Sequence, residues 1–386
     1  MNALFVSNGH GEASIADRIA LDLRAIAPDA RIDHLALVGD ANSEVMNDVG
    51  PQRAMPSGGL IAMGNVANIV RDVRSGLIGL TLAQRGFLRA ARGVYDVVVA
   101  IGDVYALVMA LTTRSPVVFV GTAKSVNVAP YGPAEERVLR RARAVFVRDE
   151  ATAKRLRERR VFVDGAANVI VDLFATQDDP RAAGALAGFA PALALFPGSR
   201  ESAYGDGRFL LSVTRELSRE RAQLGAAFSV SRGLDADRFA RDARGDGWNV
   251  RTTGDETIPF EFADGERVVV RAWRGALGPI LRRVALVLGQ AGTANEAAAA
   301  AGVGVVAFER AGDRKSRWYR RRQQGLLGEA LAMVPDRLGD AVAGVSALLR
   351  DDAHRARMGA IGRERMGAPG GAHAVALRVA AVASRA

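Results

Sequence analysis

The sequence predicts an α/β protein made of two successive doubly wound, parallel-sheet domains. Short β-rich runs alternate with helix-patterned segments along its 386 residues. Central runs such as "VVVAI" and "VVFV" show no period-two alternation, the pattern of parallel strands covered on both faces. The pattern then restarts at "LALFPGSRE", again a strand running into a glycine-containing loop. A chain of this length also exceeds the size at which one hydrophobic core stops growing.

The elements follow in order. Residues 3–7, "ALFVS", form the first strand and run into Gly9-His10-Gly11. Ile15, Ile19, Leu23 and Ile26 then fall on one helical face, with Ser14 placed to cap that helix. Further strands are expected at 32–38, 97–101, 117–121, 144–147 and 161–163. Residues 176–192 are rich in Pro, Gly, Ala and Asp and read as a linker. The expected division is an N-terminal domain over 1–178, a linker over 179–191 and a C-terminal domain over 192–386. Later strands are expected at 226–230, 268–270, 285–288 and 303–308. The last helix, about residues 371–386, is a candidate to pack back on the N-terminal domain.

Composition bounds the chemistry. The chain is 49% apolar and 24% charged, as soluble globular proteins are. The absence of cysteine excludes disulfides and thiolate metal sites. The four histidines, His10, His34, His354 and His373, stand at no metal-ligand spacing, and no metal is expected. No apolar run is long enough to span a bilayer; the nearest, 97–111, is broken by Asp103. Residues 1–12 lack the features of a signal peptide, so a cytoplasmic location is expected. The net charge of +10 favours an anionic partner: a phosphorylated substrate, acidic lipid or nucleic acid.

Ligands of such sheets bind beyond the carboxyl ends of the strands. The strongest loop is "LGQAGTANE", where Gly289 and Gly292 precede a helix starting near Thr293. Its N–H groups and dipole suit a phosphate. Thr293 and Glu296 also fit a capping box, in which both side chains serve only the helix. The second loop, Pro197-Gly198-Ser199-Arg200, offers N–H groups and a guanidinium to a phosphate, or is a tight turn with a solvated arginine. Asp103 follows a buried strand and suits a general base or a helix cap. Gly9-His10-Gly11 is a near-miss dinucleotide fingerprint, with Ser14 where its third glycine would stand. Asp33 lies at the start of its strand rather than at the end, where a ribose contact belongs.

Seven ordered blocks carry a resemblance over nearly the whole chain: "SNGHGE" with its overlapping "GEAS", "FVGTAKS", "FVRDEATAKRL", "GAANVIVDLF", "FPGSRE", "AGTANEAAAAAGVGVVAF" and "QQGLLGEALAMVPD". The chain resembles lipid-A-disaccharide synthase and, more closely, the lipid-A-disaccharide synthase-related proteins. It departs from the family pattern over 309–324, where Arg320-Arg321-Arg322 stands.

The resemblance implies the GT-B fold, with two Rossmann-like doubly wound parallel-sheet domains facing a central cleft. It implies a metal-independent, inverting glycosyltransferase without a cofactor. The enzyme would move sugar from a UDP-sugar to a lipid or lipid-linked acceptor on the inner face of the cell membrane. Gly198, Ser199, Gly292 and Thr293 would stabilise the leaving diphosphate, with Arg200 beside base or phosphate. Glu296 would accept hydrogen bonds from the ribose, and Gln323 would contact donor sugar or diphosphate. The loop with Gly9 and Gly11 would be acceptor-side, with His10 or Asp103 as base and Glu12 as third candidate.

Residues 60–93 mix apolar side chains with Arg71, Arg74, Arg85, Arg89 and Arg92, which suits contact with anionic lipid or an ordinary core helix pair. The alternatives are a UDP-sugar 2-epimerase-like isomerase, a UDP-binding relative without turnover, and a nucleic-acid-binding protein using "RKSRWYRRRQQ". Nucleic acid is the disfavoured partner, since no nucleic-acid module is present.

Overall fold

The computed structural model describes residues 1–39, 43–53, 74–175, 177–309 and 314–385, without the side chains of His10 and residues 314–317. The chain divides into two units, Met1–Leu173 with Gly367–Ala386, and Phe174–Met366.

In the first unit, β1 (Asn2–Ser7), β2 (Arg31–Ala36), β3 (Asn47–Asp48), β4 (Val97–Gly102), β5 (Val117–Gly121), β6 (Ala144–Val147) and β7 (Gly165–Ala166) form one sheet. Its order is β3-β2-β1-β4-β5-β6-β7, and every pairing is parallel. Along β1, Ala3 and Phe5 pack into one core cluster and Leu4 and Val6 into the other. Both faces are dry, which is why these strands read as unbroken apolar runs. The helices are α1 (His10–Ile26), α2 (Leu77–Ala90), α3 (Val104–Ala110), α4 (Pro133–Leu139), α5 (Glu150–Glu158) and α6 (Val169–Phe174), which runs to the division between the units. The last helix, α15 (Gly371–Ala383), packs against α1 within this unit through Ala372, Val375 and Val379. Asp172 accepts hydrogen bonds from Ala372 N (2.7 Å) and Gly370 N.

In the second unit the strands are β8 (Ala192–Phe196), β9 (Gly225–Ser229), β10 (Asn249–Thr252), β11 (Phe260–Asp264), β12 (Arg267–Trp273), β13 (Leu286–Gly289), β14 (Val305–Glu309) and β15 (Leu331–Pro335). Their order is β10-β11-β12-β9-β8-β13-β14-β15. The helices are α7 (Pro180–Leu186), α8 (Ser202–Glu220), α9 (Ala236–Gly245), α10 (Leu277–Leu281), α11 (Thr293–Ala301), α12 (Arg314–Leu327), α13 (Leu338–Arg350) and α14 (Asp352–Met366).

Four local expectations are corrected. Helix α1 begins at His10, so Ser14 lies inside it and is not its cap; Gly9, at φ 118°, turns the chain directly out of β1. Residues 161–163 are not a strand, although Val161 and Val163 are buried and Phe162 is exposed. There the Asp164 side chain takes the Val145 N–H at 2.9 Å, and pairing resumes only at β7. The expected linker contains α7, capped by Asp179 accepting from Arg181 N at 3.0 Å, with Pro180 in its first turn and Ala182 and Ala185 buried. The second sheet is mixed, because β10-β11-β12 is an antiparallel edge, with β11 and β12 joined by a two-residue turn at Gly265-Glu266.

Each sheet has one point where the connections leave in opposite directions: between β1 and β4 in the first unit, and between β8 and β13 in the second. A crevice for a ligand opens outside the carboxyl ends of the strands at such a point.

Candidate functional sites

At the first switch point the ends of β1, β4 and β5 bring Glu12, Asp103 and Thr122 together. Asp103 caps α3, its Oδ1 accepting from Tyr105 N (3.0 Å) and Ala106 N (3.3 Å). Thr122 Oγ1 donates to Glu12 Oε1 at 3.3 Å, and Thr122 N donates to Gly102 O at 3.0 Å. Gly102, at φ 128°, holds a backbone conformation that side chains rarely adopt, and a Cβ would press to 3.3 Å from both Asn8 Cβ and Glu12 Cγ. Burial pushes the Glu12 carboxyl above its ordinary range and the Asp103 charge adds to the effect, against hydrogen bonds from its own backbone N–H and Thr122. Such a carboxyl is suited to proton transfer.

Gly9 and Gly11 begin α1 beside these groups, and Gly11 has open space where a Cβ would point. The His10 backbone opens the helix; its side chain lies outside the described residues. Tyr131 is buried with its hydroxyl against Gly121 and has no hydrogen-bond partner among the described residues. Burial and the nearby Glu135 and Asp103 charges raise its pKa and keep it protonated.

Sequence reasoning missed a polar chain behind this loop. Ser7 Oγ lies 2.8 Å from His34 Nε2, and His34 Nδ1 lies 3.5 Å from Asp48 Oδ1. Ser7 and His34 are buried, and burial lowers the His34 pKa against the pull of Asp48 and Asp17. Only parallel pairing of β1 with β2 and of β2 with β3 assembles it. Asp33 is a buried anchor, accepting from Tyr95 Oη at 2.8 Å and pairing with Arg31 at 2.9 Å.

At the second switch point the loops after β8 and β13 are joined by Gln290 N donating to Phe196 O at 2.8 Å. Gly198 takes φ 115°, and Ser199 and Arg200 are exposed. Gly292 is the N-cap of α11 and makes no side-chain cap, so the Thr293–Glu296 capping box is not formed: Thr293 is already the first helical residue. Glu296 lies in the first turn, partly exposed. Asn295 is fully buried; its Nδ2 donates to Gly289 O (3.1 Å) and Gln323 Oε1 (3.2 Å). Gln323 is buried with its amide turned onto the loop backbone. Asn295 went unnoticed because nothing in "TANEA" distinguishes a buried amide from a solvated one.

Of the segment 60–93, residues 60–73 lie outside the described residues. Helix α2 buries Leu80, Gln84 and Leu88 and exposes Ile78, Leu82, Arg85 and Arg89 along one face. The Gln84 amide donates to Leu37 O at 3.0 Å and Pro51 O at 3.1 Å. In α12, Trp318 is half exposed with Arg322 over its ring at 5.5 Å, whereas Arg320 is buried. Among the described residues no helix is long and apolar enough to cross a membrane, and no group of three acidic or histidine side chains could hold a metal.

No protein-family model matches the chain. No curated protein matches it. Among solved structures it is similar to the UDP-GlcNAc 2-epimerase of Neisseria meningitidis bound to UDP-GlcNAc, at 13% identity and TM-score 0.56, over 99% of this chain and 100% of that one. It is similar to MurG of Acinetobacter baumannii at 12% identity and TM-score 0.59, over 98% and 99% of the two chains. The spinosyn forosaminyltransferase SpnP matches at 15% identity and TM-score 0.56, over 100% and 99%. At these identities the likeness shows the fold: two α/β units of the GT-B type.

Proposed function

We propose that the protein is a glycosyltransferase that moves sugar from a UDP-sugar to a hydroxyl of a lipid or lipid-linked acceptor, with inversion at the anomeric carbon. The observation that carries this reading is the second switch point. A glycine loop there opens α11 without a side-chain cap, beside the Gly198–Arg200 turn. The first N–H groups of a helix have no intrahelical partner, and they suit the diphosphate as its bond to the anomeric carbon breaks. Glu296 is the candidate ribose contact and Arg200 the candidate neighbour of base or phosphate.

In the first unit, ionised Glu12 is the best-supported base for the acceptor hydroxyl, since Asp103 Oδ1 already caps α3. His10 remains a candidate by its place in the loop. The acceptor oxygen bonds to the anomeric carbon, its proton passes to the base, and UDP leaves with the bonding pair. The UDP-GlcNAc bound to the Neisseria meningitidis neighbour supports the donor, and the resemblance to lipid-A-disaccharide synthase-related proteins and the apolar, arginine-bearing face of α2 support the lipid acceptor.

Thermal stabilisation by UDP, against UMP, GDP, ADP and NAD, tests this reading in the wild type and Glu296→Ala. At a hundred times the dissociation constant UDP should add about 2.7 kcal/mol. Folded protein with no UDP response overturns the reading.

The Glu12–Asp103 pair favours one rival, a 2-epimerase using both carboxyls as acid and base. Solvent deuterium entering carbon 2 of a UDP-sugar in D2O, with no acceptor present, would select it.

A further inference from the structure

Arg320 and Gln323 lie one turn apart on α12, each 5% exposed. Arg320 Nη2 donates to Gln290 O at 2.6 Å, and Nη1 lies 3.5 Å from Ala291 O. Gln323 Nε2 donates to Ala291 O at 3.1 Å and to Gly292 O at 3.0 Å. Helix α12 therefore holds the oxygens of three consecutive peptide units. The N–H groups of those units belong to Ala291, Gly292 and Thr293. In a trans peptide they point opposite to the carbonyls, away from α12, and hydrogen bonds on the oxygens polarise them further.

The glutamine amide is also saturated. A primary amide has two donors and an oxygen with two lone pairs. Both donors are on loop carbonyls, and Oε1 accepts from Asn295 Nδ2 at 3.2 Å and Arg320 Nη1 at 3.4 Å. Nothing is left for a sugar hydroxyl unless this arrangement breaks.

We propose that Gln323 and Arg320 are positioning residues: they act on the diphosphate through the peptide planes of the 290–292 loop and do not touch the donor. This rests on the functional reading above. It reassigns Gln323 from donor contact to brace and gives the arginine run, which departs from the family pattern, a role at its first member.

Gln323→Glu separates brace from contact. A carboxylate can still accept hydrogen bonds from a sugar, but it cannot donate to two carbonyl oxygens. Arg320→Lys, in which one ammonium replaces the planar fork, is the second variant. In both, amide hydrogen exchange over 289–296 should quicken while the β8 and β9 amides stay protected. UDP should bind about 10- to 100-fold more weakly with uridine affinity unchanged, which general loosening of the unit would not leave intact. Exchange and UDP affinity equal to wild type would overturn the brace. Weakened UDP-sugar binding with UDP affinity intact would assign Gln323 to the sugar and overturn it as well. A wild type that binds no UDP overturns the functional reading instead, and the exchange comparison, which needs no nucleotide, still decides whether the brace exists.

Discussion

Thr122 Oγ1 donates to Glu12 Oε1 across 3.3 Å and ties the end of β5 to the first turn of α1. Between them runs Gly102, whose missing side chain lets Asn8 and Glu12 close over the end of β4. A carboxyl held there, with Asp103 beside it, is aimed by its neighbours and kept partly from water. Burying it beside another carboxylate comes at a cost in stability.

The sign of that cost is testable. Glu12 has a raised pKa, so the folded state holds its proton where the unfolded chain has lost it. Stability then falls as pH rises above the ordinary carboxyl range, until the folded group ionises. Glu12→Gln removes this term and should raise Tm at pH 7–8 with little change at pH 4. The same variant should lower kcat by about 10²- to 10⁴-fold if Glu12 is the base. A variant with lower Tm at pH 8 and wild-type turnover would refute both statements.

His34 acts with the opposite sign. Its pKa is lowered, so the unfolded chain takes up a proton before the folded protein does. Stability contributed by neutral His34 is full above about pH 6.5 and should decline below it by at most about 1.4 kcal/mol per pH unit. Urea unfolding at pH 5.5 and 7.5 should show the drop, and His34→Gln should flatten it. Equal slopes in the two proteins would count against this assignment.

The loop after β13 is tightly packed at one atom. A Cβ on Gly289 would overlap the Asn295 amide, and Asn295 is fully buried. Gly289→Ala should destabilise by about 1–3 kcal/mol and weaken UDP, because Asn295 would release Gly289 O and Gln323. Gly11→Ala, where a Cβ meets nothing within 4 Å, should leave stability nearly unchanged. Calorimetric UDP titrations and denaturation curves of the two variants give the contrast.

Elements whose burial repeats locally were legible. The apolar runs at β1, β4, β5 and β8 and the helical face of Ile15, Ile19 and Leu23 mark themselves. So do the glycines after β8 and at the end of β13, because Gly198 takes φ 115° and a Cβ on Gly289 would overlap the Asn295 amide. The edge strand β10, with Asn249, Arg251 and Thr252 exposed, carries no such mark. Nor does β7, whose Gly165-Ala166 pairs only because β6 lies beside it.

By itself the sequence determined the alternation of strand and helix, the restart into a second sheet and the loops that carry glycine. These are consequences of short-range periodicity and backbone freedom. Tertiary structure decided which polar side chains are turned into the protein and which stay exposed. Gln323 meets the carbonyls of residues 31 and 32 positions earlier, and His34 meets Ser7 from 27 positions away. Those partners are set by strand register and by the seating of α12, and a buried amide or imidazole reads in sequence like an exposed one until the other half of its hydrogen bonds is in place.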